Sequence, residues 1–543
     1  MAYINSLGQT RLGVRLGVAP TITSKLLDTY SGADAAYSLR KLSTTYSGSA
    51  IRVRRSSDNG EQNIGFDGDG NLDTTSLLSF VGSGNGYVKT WYDQSGNNKY
   101  AYNNASANQP IIVLSGVVQM NGNKPSIYWD NSQQQILYIN SIVWSGIESI
   151  RSVFINMKWL TGSGRNPILG ETSDAMYHAD TTSANLILSE AYANYNIKYG
   201  ALYLNNVSKN VNNFYRNPNN NQIISMVHLS QSGYFNRLSI DRSDASSYFK
   251  GYYSEIVIYT SNQTNNVSGI NGNMNTYYSI YPATVSDTDA QAFLNAAFIT
   301  SQTQANAINT LVTDLKTAGV WTKMMAIYPF VGGNATSHKF NLKDPRDLND
   351  SFRLKFNGGW THSSTGILPN GSNAFAETFL ATRSWMSGLD SLHISFYSRT
   401  DVTSGGCDIG SGQNPVYFSS IYSKYNNAGT ISTIASLSSD FAYIPNNTPS
   451  NAFYLVNRNS ISQISLFRNS TKVSLTNLTR NYNSGMPFTI SALNQGQGTV
   501  PNTSSYSSRE SAFASIGYGL TDVEALSFYN AIQAYQTTLG RQV

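Results

Sequence analysis

The sequence predicts a mainly β protein with two β-sandwich domains that are joined by a helical hairpin. Short segments rich in β-branched and aromatic residues recur along both halves, and clusters of Gly, Asn and Ser separate them, which is the pattern of a sandwich. A chain of 543 residues is too long for one core, because domains commonly hold about 50 to 250 residues. Helical periodicity replaces the strand pattern between the halves, at residues 286–299 and 301–319.

These patterns divide the chain into four parts. They are an N-terminal anchoring arm, a first sandwich, a helical linker and a second sandwich, at residues 1–25, 26–283, 284–320 and 321–543. Within the arm, Leu and Val alternate with other residues over positions 12–18, which suits addition of a strand to the sheet of another subunit. A disordered tail is the alternative for this segment.

Two predicted strands and the turn after the second one organise the N-terminal half. In residues 50–55, apolar side chains alternate with arginines, so one face would pack on a core and the other would meet solvent. Residues 87–92 are β-branched and aromatic, and they lead into the turn Asp93-Gln-Ser-Gly-Asn97. In this turn, Asp93 can bond its own backbone and Gly96 can take positive φ. We therefore expect two strands that end in a tight corner.

Several motifs between Leu26 and Pro110 carry a resemblance to a known family. They are Tyr37-Ser-Leu-Arg-Lys41, Ile51-Arg-Val-Arg-Arg-Ser-Ser-Asp58, Ile64-Gly-Phe66, Gly70-Asn-Leu-Asp73 and Thr90-Trp-Tyr-Asp-Gln-Ser-Gly-Asn97. This run resembles the concanavalin A-like lectin/glucanase (LamG-like) module of bacteriophage virion proteins. That module is itself distantly similar to the catalytic domain of the B-type α-L-arabinofuranosidases. The resemblance implies concanavalin-like, jelly-roll sandwiches.

A second set of motifs lies in the C-terminal half. They are Trp321-Thr-Lys-Met-Met-Ala-Ile-Tyr-Pro-Phe-Val-Gly-Gly333, Lys343-Asp-Pro-Arg346 and Phe356-Asn-Gly-Gly-Trp-Thr-His-Ser-Ser-Thr-Gly366. They resemble the C-terminal module of phage tail-fibre and surface proteins. Both resemblances imply a structural protein exposed on the virion, which acts in adhesion to host-surface glycans or decorates the capsid or tail. Residues 1–25 would contact other virion proteins, and we expect a homo-oligomer.

The charge of the chain argues against nucleic acid as a partner. Charged residues make up 12% of the sequence, well below the usual value of about 25%, and the formal net charge is +5. A nucleic-acid interface would need a local basic cluster, and the strongest one joins Arg52, Arg54 and Arg55 with Lys89. We interpret these four cations as a solvated strand face or a subunit contact.

Cysteine content and hydropathy indicate in which cellular compartment the protein is made and whether it enters a membrane. One cysteine, Cys407, excludes an intrachain disulfide framework and a thiolate metal cluster. The sequence has no signal-peptide pattern and no run of 18 apolar residues, so we expect no membrane insertion. Synthesis in the host cytoplasm and exposure on the particle surface would fit both features.

The resemblance to arabinofuranosidases raises an alternative function, a glycan-degrading depolymerase. Such an enzyme needs two carboxyl groups about 5 to 9 Å apart. The candidates are Asp93 in the turn motif, Glu190 as the nearest match to the family's nucleophile, and Asp241 and Asp244 before the last strand of the first domain, where the family places its acid/base. The family's disulfides are missing, so we expect binding rather than catalysis and a turn-forming role for Asp93.

One loop has the oxygen spacing of a calcium site. Asp67, Asp69, Asn71 and Asp73 place oxygen donors at alternate positions, but the sixth and twelfth positions are leucines, which excludes an EF-hand. The alternative is a hairpin turn whose last residue caps the next helix. We expect no other cofactor.

Aromatic residues beside polar loops are the candidates for sugar contacts. The tryptophans that border Asn- or Ser-rich loops are Trp129, Trp144, Trp360 and Trp385, and each could equally belong to a core. None of the five histidines shows metal-ligand spacing, and His338 and His362 are expected to have hydrogen-bonded structural roles.

Overall fold

The structure, a computed structural model, shows two units whose internal contacts divide the chain into Met1–Ile280 and Tyr281–Val543. Strands hold 39% of the residues and helices 21%, which confirms the predicted mainly β class. The structure describes residues 25–140, 150–160, 167–170, 188, 199–215, 219–227, 235–240, 248–386, 390–402, 405–413, 417–427, 430–437, 440–476, 484–496 and 501–543. Residues 1–24 of the predicted arm lie outside these ranges.

Unit 1 contains eighteen strands in its described residues. They are β1 Ala35–Ser38, β2 Ile51–Arg55, β3 Glu61–Ile64, β4 Gly86–Trp91, β5 Ala101–Tyr102, β6 Ile111–Leu114, β7 Val117–Val118, β8 Met120–Asn121, β9 Lys124–Pro125, β10 Ile127–Trp129, β11 Leu137–Ile139, β12 Ser152–Trp159, β13 Leu169–Gly170, β14 Ala201–Leu204, β15 Val207–Lys209, β16 Gln222–Val227, β17 Arg237–Leu238 and β18 Gly251–Tyr259.

Sixteen of these strands form one continuous sheet that surrounds a single core. Its main order is β13-β17-β11-β5-β4-β6-β10-β18-β12-β16-β14-β15, while β8 and β9 form a separate hairpin. The two strands of the organising stretch, β2 and β4, pair antiparallel, with Ile51 opposite Trp91. Ile51 and Val53 face the core, where they pack with Trp91 and the inner faces of the other strands. The period-two pattern of residues 50–55 therefore predicted the correct inner face.

The helices of unit 1 are α1 Leu26–Thr29, α2 Thr74–Val81 and α3 Val267–Tyr278. Asp73 caps α2 by accepting a hydrogen bond from the Ser76 N–H, as the sequence predicts. Helix α3 covers the outer face of the sheet beside β16, where Ser225 donates to Asn271 at 2.6 Å. The α3 residue Tyr278 donates to the buried carboxylate of Glu255 at 3.1 Å.

Unit 2 contains seventeen strands in its described residues. They are β19 Met324–Tyr328, β20 Lys355–Asn357, β21 Trp360–Ser363, β22 Gly366–Pro369, β23 Phe375–Ala381, β24 Leu392–Ser398, β25 Ile409–Gln413, β26 Tyr417–Asn427, β27 Thr430–Leu437, β28 Asp440–Pro445, β29 Ala452–Ser460, β30 Gln463–Arg468, β31 Thr471–Thr476, β32 Pro487–Ile490, β33 Leu493–Asn494, β34 Thr503–Ser504 and β35 Ser511–Gly517.

These strands form two sheets that face each other across a core. The eight-stranded sheet has the order β21-β22-β35-β24-β29-β30-β31 with β19 beside β35, and the nine-stranded sheet follows β20-β23-β32-β25-β26-β27-β28 with β33 and β34 beside β25. Ile394 and Phe396 of β24 meet Ile409 of β25 and Phe488 of β32 in this core. Unit 2 is therefore a β-sandwich.

Helices cover the other face of the eight-stranded sheet. The helices of unit 2 are α4 Thr288–Ala297, α5 Gln302–Thr317, α6 Ala335–His338 and α7 Asp522–Thr538. Ile308 and Leu311 of α5 pack with Phe528 of α7 and with Phe453 and Phe513 of the sheet. The two helices that the sequence assigned to a linker thus pack in a core of unit 2. Both of their starts are capped, α4 by Asp287 and α5 by Ser301.

Short 3₁₀ turns complete the described structure. The turns are Ser106–Asn108, Asn131–Gln133, Val211–Asn213, Thr264–Asn266, Trp321–Lys323, Asn349–Ser351 and Thr382–Ser384. Among the residues described, no helix combines the length and the apolar composition that crossing a bilayer requires.

Candidate functional site

The carboxylate of Asp93 ties three segments of unit 1 together at the end of β4. Its Oδ1 accepts hydrogen bonds from the backbone N–H of Ala36 at 2.8 Å and of Ser95 at 2.9 Å. Its Oδ2 accepts from the Ser95 hydroxyl at 2.7 Å and from the Lys99 N–H at 3.0 Å. A buried carboxylate with four donors is a structural acceptor, which is the turn-forming role expected for Asp93.

The amide of Gln94 performs the same task for the loop after β1. Its Nε2 donates to the carbonyls of Ser38 at 3.0 Å and Arg40 at 2.9 Å, while its Oε1 accepts from the Leu42 N–H at 2.8 Å. We call Asp93 and Gln94 with these bonds the Asp93–Gln94 clasp. Because four of these bonds join residues more than 50 positions apart, the clasp fixes where β1 and the loop after it lie relative to the end of β4.

A pocket of about 380 Å³ opens where the clasp brings these loops together. Three stretches of chain line it: the end of α1 with the loop before β1, the loop before β2, and the turn after β4. The lining residues are Leu27, Ser31, Gly32, Ala33, Ser43, Thr45, Tyr46, Ser47, Gly48, Gln94, Ser95 and Gly96. We call this the Tyr46 pocket. Its lining contains six hydroxyl groups, one amide and one aromatic ring, and no ionisable acid or base other than the tyrosine.

Tyr46 is the aromatic wall of the pocket. The ring is half-buried and meets Phe66 edge to face, with ring centres 6.3 Å apart, and its hydroxyl donates to the Ser49 carbonyl at 2.9 Å. Burial, followed by the nearby charge of Asp93, raises the pKa of Tyr46 to about 12. Tyr46 is therefore a neutral phenol at any physiological pH. Gly48 allows this placement, because a Cβ there would lie 2.5 Å from the Tyr46 hydroxyl oxygen.

The hydroxyl groups of the pocket differ in whether they already form hydrogen bonds within the protein. Ser43 bonds to Asp28 at 3.1 Å and to Thr45 at 2.9 Å, so both hydroxyls are oriented by protein partners. Ser31 and Ser47 are exposed, and within the described part of the chain their hydroxyls have no hydrogen-bond partner. These two groups can donate to and accept from a ligand without breaking an internal bond.

The charges around the pocket lie behind its wall and are mostly negative. Asp28 holds Ser43, Asp93 holds Ser95, and Asp34 adjoins the lining residue Ala33. Lys99 is paired with one of these groups, since its Nζ lies 2.6 Å from Asp34. A neutral hydrogen-bonding ligand therefore meets no unpaired charge in the lining, whereas an anionic one would face these carboxylates.

Four predicted site residues lie outside the described residues. They are the catalytic candidates Glu190, Asp241 and Asp244 and the sugar-contact candidate Trp144. Of the predicted catalytic carboxylates, the structure therefore places only Asp93.

The other candidate tryptophans lie at three separate places. Trp129 is completely buried in the core of unit 1 against Tyr253, so its ring has no surface to offer a ligand. Trp360 and Trp385 belong to unit 2 and are half-buried. The Trp360 indole N–H donates to the Asn357 carbonyl at 2.8 Å, and Trp385 packs edge to face on Tyr518.

The predicted calcium loop uses its carboxylates internally. Asp67 accepts from the backbone N–H of Asp69 at 3.0 Å and of Asn71 at 2.8 Å, while Asp73 caps α2. The Asn71 side-chain oxygen accepts from the Tyr277 hydroxyl at 2.8 Å. Across the described residues, no group of three or more His, Cys, Asp or Glu side chains could hold a metal ion. Calcium binding at this loop stays a prediction.

The basic strand face of unit 1 is matched by acids. Arg52 and Lys89 share the carboxylate of Glu61 at 2.8 and 2.7 Å, and Arg55 binds Asp58 of its own turn at 2.7 Å. These three cations lie on a partly exposed strand face, whereas Arg54 is buried and donates to the Gln109 side-chain oxygen at 2.8 Å, so the predicted solvated face does not include it. The absence of a nucleic-acid partner remains a prediction.

The sequence did not single out most residues of the Tyr46 pocket. Its one available signal was the run Ser43-Thr-Thr-Tyr-Ser-Gly-Ser49, in which small hydroxyl residues surround one aromatic residue. That run directly precedes the strand β2, which organises the N-terminal half together with β4. Nothing local in it shows that residues 94–96 return to the same place.

Comparisons with known proteins give a distant likeness of fold. No family model matches the chain, and no curated protein matches it. A solved GH54 α-L-arabinofuranosidase soaked with a cyclic sulfate inhibitor is similar at 13% identity, over 48% of this chain and 67% of that chain, with a TM-score of 0.30. Domain 4 of AbnA, a GH43 extracellular arabinanase from Geobacillus stearothermophilus, is similar at 12% identity, over 38% and 98% of the two chains, with a TM-score of 0.25.

A third similar structure is the binding domain of botulinum neurotoxin serotype D. It shares 9% identity over 39% of this chain and 52% of that chain, with a TM-score of 0.24. The distant similarity is thus to glycoside hydrolases and to β-sandwich binding domains. At these TM-scores, nothing about the ligand of this chain follows from the likeness.

Proposed function

We propose that the Tyr46 pocket binds a neutral saccharide and that the protein acts by binding rather than by catalysis. The observation that carries this proposal is the lining itself: hydroxyl groups, an amide and one tyrosine face, without a charged side chain. Sugars present hydroxyl groups beside apolar C–H faces, and a pocket with paired donors and acceptors beside an aromatic ring matches both.

The class of saccharide follows from the charges behind the wall. Asp28, Asp34 and Asp93 surround the pocket, and Lys99 is bound to one of them. An acidic sugar would bring another negative charge towards these carboxylates at a cost that no lining cation offsets. We therefore propose neutral sugars as ligands and expect sialic or uronic acids to bind more weakly.

The competing proposal, a glycan-degrading depolymerase, has less support among the described residues. Hydrolysis needs a carboxylic acid and a carboxylate on either side of a sugar. The lining has neither, and the four hydrogen bonds of Asp93 hold the loops instead. An assay for new reducing ends on each bound glycan separates the two proposals, because a binding module releases none.

The biological setting is a further part of the proposal. Long motifs in both halves resemble phage virion surface modules, so we propose a virion protein that uses the pocket for adhesion to host glycans or sits as a capsid or tail decoration. Residues 1–25 would anchor it to other virion proteins, as one copy of a homo-oligomer. Cryo-electron microscopy of the intact particle tests this, and a particle that lacks the chain would contradict it.

An array of immobilised oligosaccharides, both neutral and acidic, tests the binding proposal. We expect the full chain to bind one or more neutral glycans. Gly48→Ala should abolish binding, because the added Cβ displaces the Tyr46 ring. The matched control is Gly68→Ala, where a Cβ would meet nothing within 4 Å. Exclusive binding to acidic glycans, or equal binding by both variants, would contradict the proposal.

A further inference from the structure

One edge of unit 2 is attached by few main-chain contacts. The hairpin of β21 and β22 lies at the end of the eight-stranded sheet, and β22 meets β35 at a single register pair, Ile367 opposite Ser511. Side-chain packing and side-chain hydrogen bonds also hold this hairpin. Ile367 of β22 is completely buried in the core between the two sheets. The Thr365 hydroxyl at the tip of the hairpin donates to Glu510, and His362 of β21 bonds to His338 of α6. The histidine contact is therefore a polar link that holds β21, the outer strand of the hairpin.

The hydrogen bonds around the two histidines determine their protonation. The backbone N–H of Gly333 donates to Nε2 of His338 at 3.2 Å, so this nitrogen carries a lone pair. The proton of neutral His338 is then on Nδ1, which lies 3.0 Å from Nδ1 of His362. His338 donates and His362 accepts, so the proton of His362 is on its Nε2. Both rings must be neutral for these bonds to exist.

Adding a proton to either ring breaks a bond of this arrangement. On His338 the proton would go to Nε2 and meet the Gly333 N–H, and on His362 it would go to Nδ1 and meet the N–H of His338. His338 is only 2% exposed, so water cannot replace the lost partner there. Once either ring is protonated, the two hydrogen bonds that join Gly333, His338 and His362 can no longer both form in this geometry.

The charges that face the pair reinforce this effect. Arg541, from the C-terminal segment, donates to the Phe330 carbonyl at 2.7 Å and places a permanent positive charge near His338. On the hairpin side, Glu510 binds Arg399 at 3.2 Å as well as Thr365. After α6, Lys339 is paired with Asp347 at 2.6 Å. No carboxylate among these is bonded to either imidazole, so a new imidazolium gains no counter-ion.

We propose that His338 and His362 form an acid-released clasp, which holds the β21–β22 hairpin against the segment 330–338 at neutral pH and frees it on acidification. His362 also packs against Phe356, with ring centres 4.7 Å apart, and lies beside Trp360 at 6.3 Å. Release therefore uncovers an aromatic surface that is half-buried in the closed form. This device is independent of the Tyr46 pocket.

The direction of the pH effect follows from the two protonation equilibria. Burial, followed by the charges of His362 and Arg541, lowers the pKa of His338 to about 3, and burial lowers the pKa of His362. An exposed histidine titrates near a pKa of about 6.5. Between these values the open form binds a proton that the closed form does not. Below pH 6.5 the ratio of closed to open hairpin should fall, and the fall approaches about tenfold per pH unit for a histidine that stays neutral in the closed form.

Hydrogen exchange of the full chain, read by mass spectrometry and corrected for intrinsic rates, tests the proposal. Peptides that cover residues 360–369 should lose protection by about fifteenfold between pH 6.5 and 5.0 for one titrating histidine. Peptides of β24 and β35 should lose less. Unchanged protection of residues 360–369 across this range would overturn the proposal.

Two variants separate the clasp from general acid sensitivity. His362→Phe removes one of the two titrating rings and the acceptor of the His338 Nδ1–H, so the pH dependence of exchange in the hairpin should become weaker, whatever its level at neutral pH. Thr365→Val removes the other tether and should lower protection equally at every pH, which keeps the slope. A slope in His362→Phe as steep as that of the wild type would overturn the assignment. Should His362→Phe fail to fold, proton NMR of the wild-type histidines decides, since a midpoint near 6.5 for either residue contradicts a closed neutral pair.

Discussion

The two units use different chemistry for the same task of holding a loop against a sheet. In unit 1, the Asp93–Gln94 clasp joins two side chains mostly to backbone groups, with seven hydrogen bonds to residues in β1, in the loop after β1 and in the turn after β4. In unit 2, the His338–His362 clasp joins two side chains that must both be neutral. Only the second clasp therefore depends on pH in the range where imidazole titrates.

This difference teaches where each unit can change shape. The first clasp builds a pocket from loops that stay in place, which suits a preformed binding site. The second holds an edge hairpin with little main-chain support, which suits release. The predictions below test this contrast.

Acid should produce the largest contrast between the units. Burial lowers the pKa of His338 to about 3 and that of His393 to about 4. A base with a lowered folded pKa stabilises the fold above its unfolded pKa of about 6.5, and this stability is lost as the pH falls towards the folded value. At pH 4.5 these two histidines should cost unit 2 roughly 5 kcal/mol relative to neutral pH.

Urea unfolding read by hydrogen exchange in each unit, at pH 7.5 and 4.5, measures this loss. Unit 1 also contains His178 and His228, which lie outside the described residues, so the reference is unit 1 with both replaced by Asn, and its loss should be smaller. If unit 1 loses as much stability as unit 2, buried histidines are not the source of the difference.

Asp93→Ala should break the clasp of unit 1. It leaves the backbone N–H groups of Ala36, Ser95 and Lys99 without their acceptor, in a part of the structure where Asp93 is itself buried. We expect unit 1 to lose about 3 to 4 kcal/mol of its free energy of unfolding. The same unfolding measurement should show no change in unit 2. The control is Asp69→Ala, an exposed acid, for which a loss as large as that of Asp93 would refute the clasp.

Gly48→Ala should disable the pocket without breaking the clasp. The added Cβ would lie 2.5 Å from the Tyr46 hydroxyl oxygen, so the ring must move out of the pocket wall. Affinity for the neutral glycan should fall by at least about tenfold, which is the combined worth of one aromatic contact and one hydrogen bond. Calorimetric titration gives this value. Unchanged affinity would mean that the sugar binds elsewhere.

Tyr46→Phe should have the smallest effect, because it keeps the ring and removes one hydrogen bond. The Tyr46 hydroxyl donates to the Ser49 carbonyl, so its loss should cost unit 1 about 1 kcal/mol of stability. Affinity for the glycan should change by less than about threefold, since the ring face remains. A larger loss of affinity would show that the hydroxyl contacts the ligand directly.

Local signals made much of the fold predictable from the sequence. Asp73 before α2 and Thr521 with Glu524 at the start of α7 lie where capping patterns place them, because a cap depends on residues within one turn. The inner face of β2 followed from its alternation. The mainly β class followed from the same kind of pattern.

The candidate site was less predictable, because its contacts join distant residues. The turn at Asp93 was recognised, yet the partners of Gln94 are backbone groups at positions 38 to 42, which no side-chain pattern reveals. His338 and His362 of unit 2 were assigned hydrogen-bonded roles, but their pairing joins α6 to β21. Both contacts form only in the tertiary structure, so local sequence patterns could not predict them.

The central claim is that the Tyr46 pocket holds a neutral sugar, and a crystal structure of the full chain soaked with the neutral oligosaccharide that binds best on the array tests it most directly. The account predicts a sugar ring against Tyr46, with its hydroxyl groups bonded to Ser31 and Ser47. A sugar found elsewhere, such as beside Trp360, with the Tyr46 pocket empty, would contradict the account.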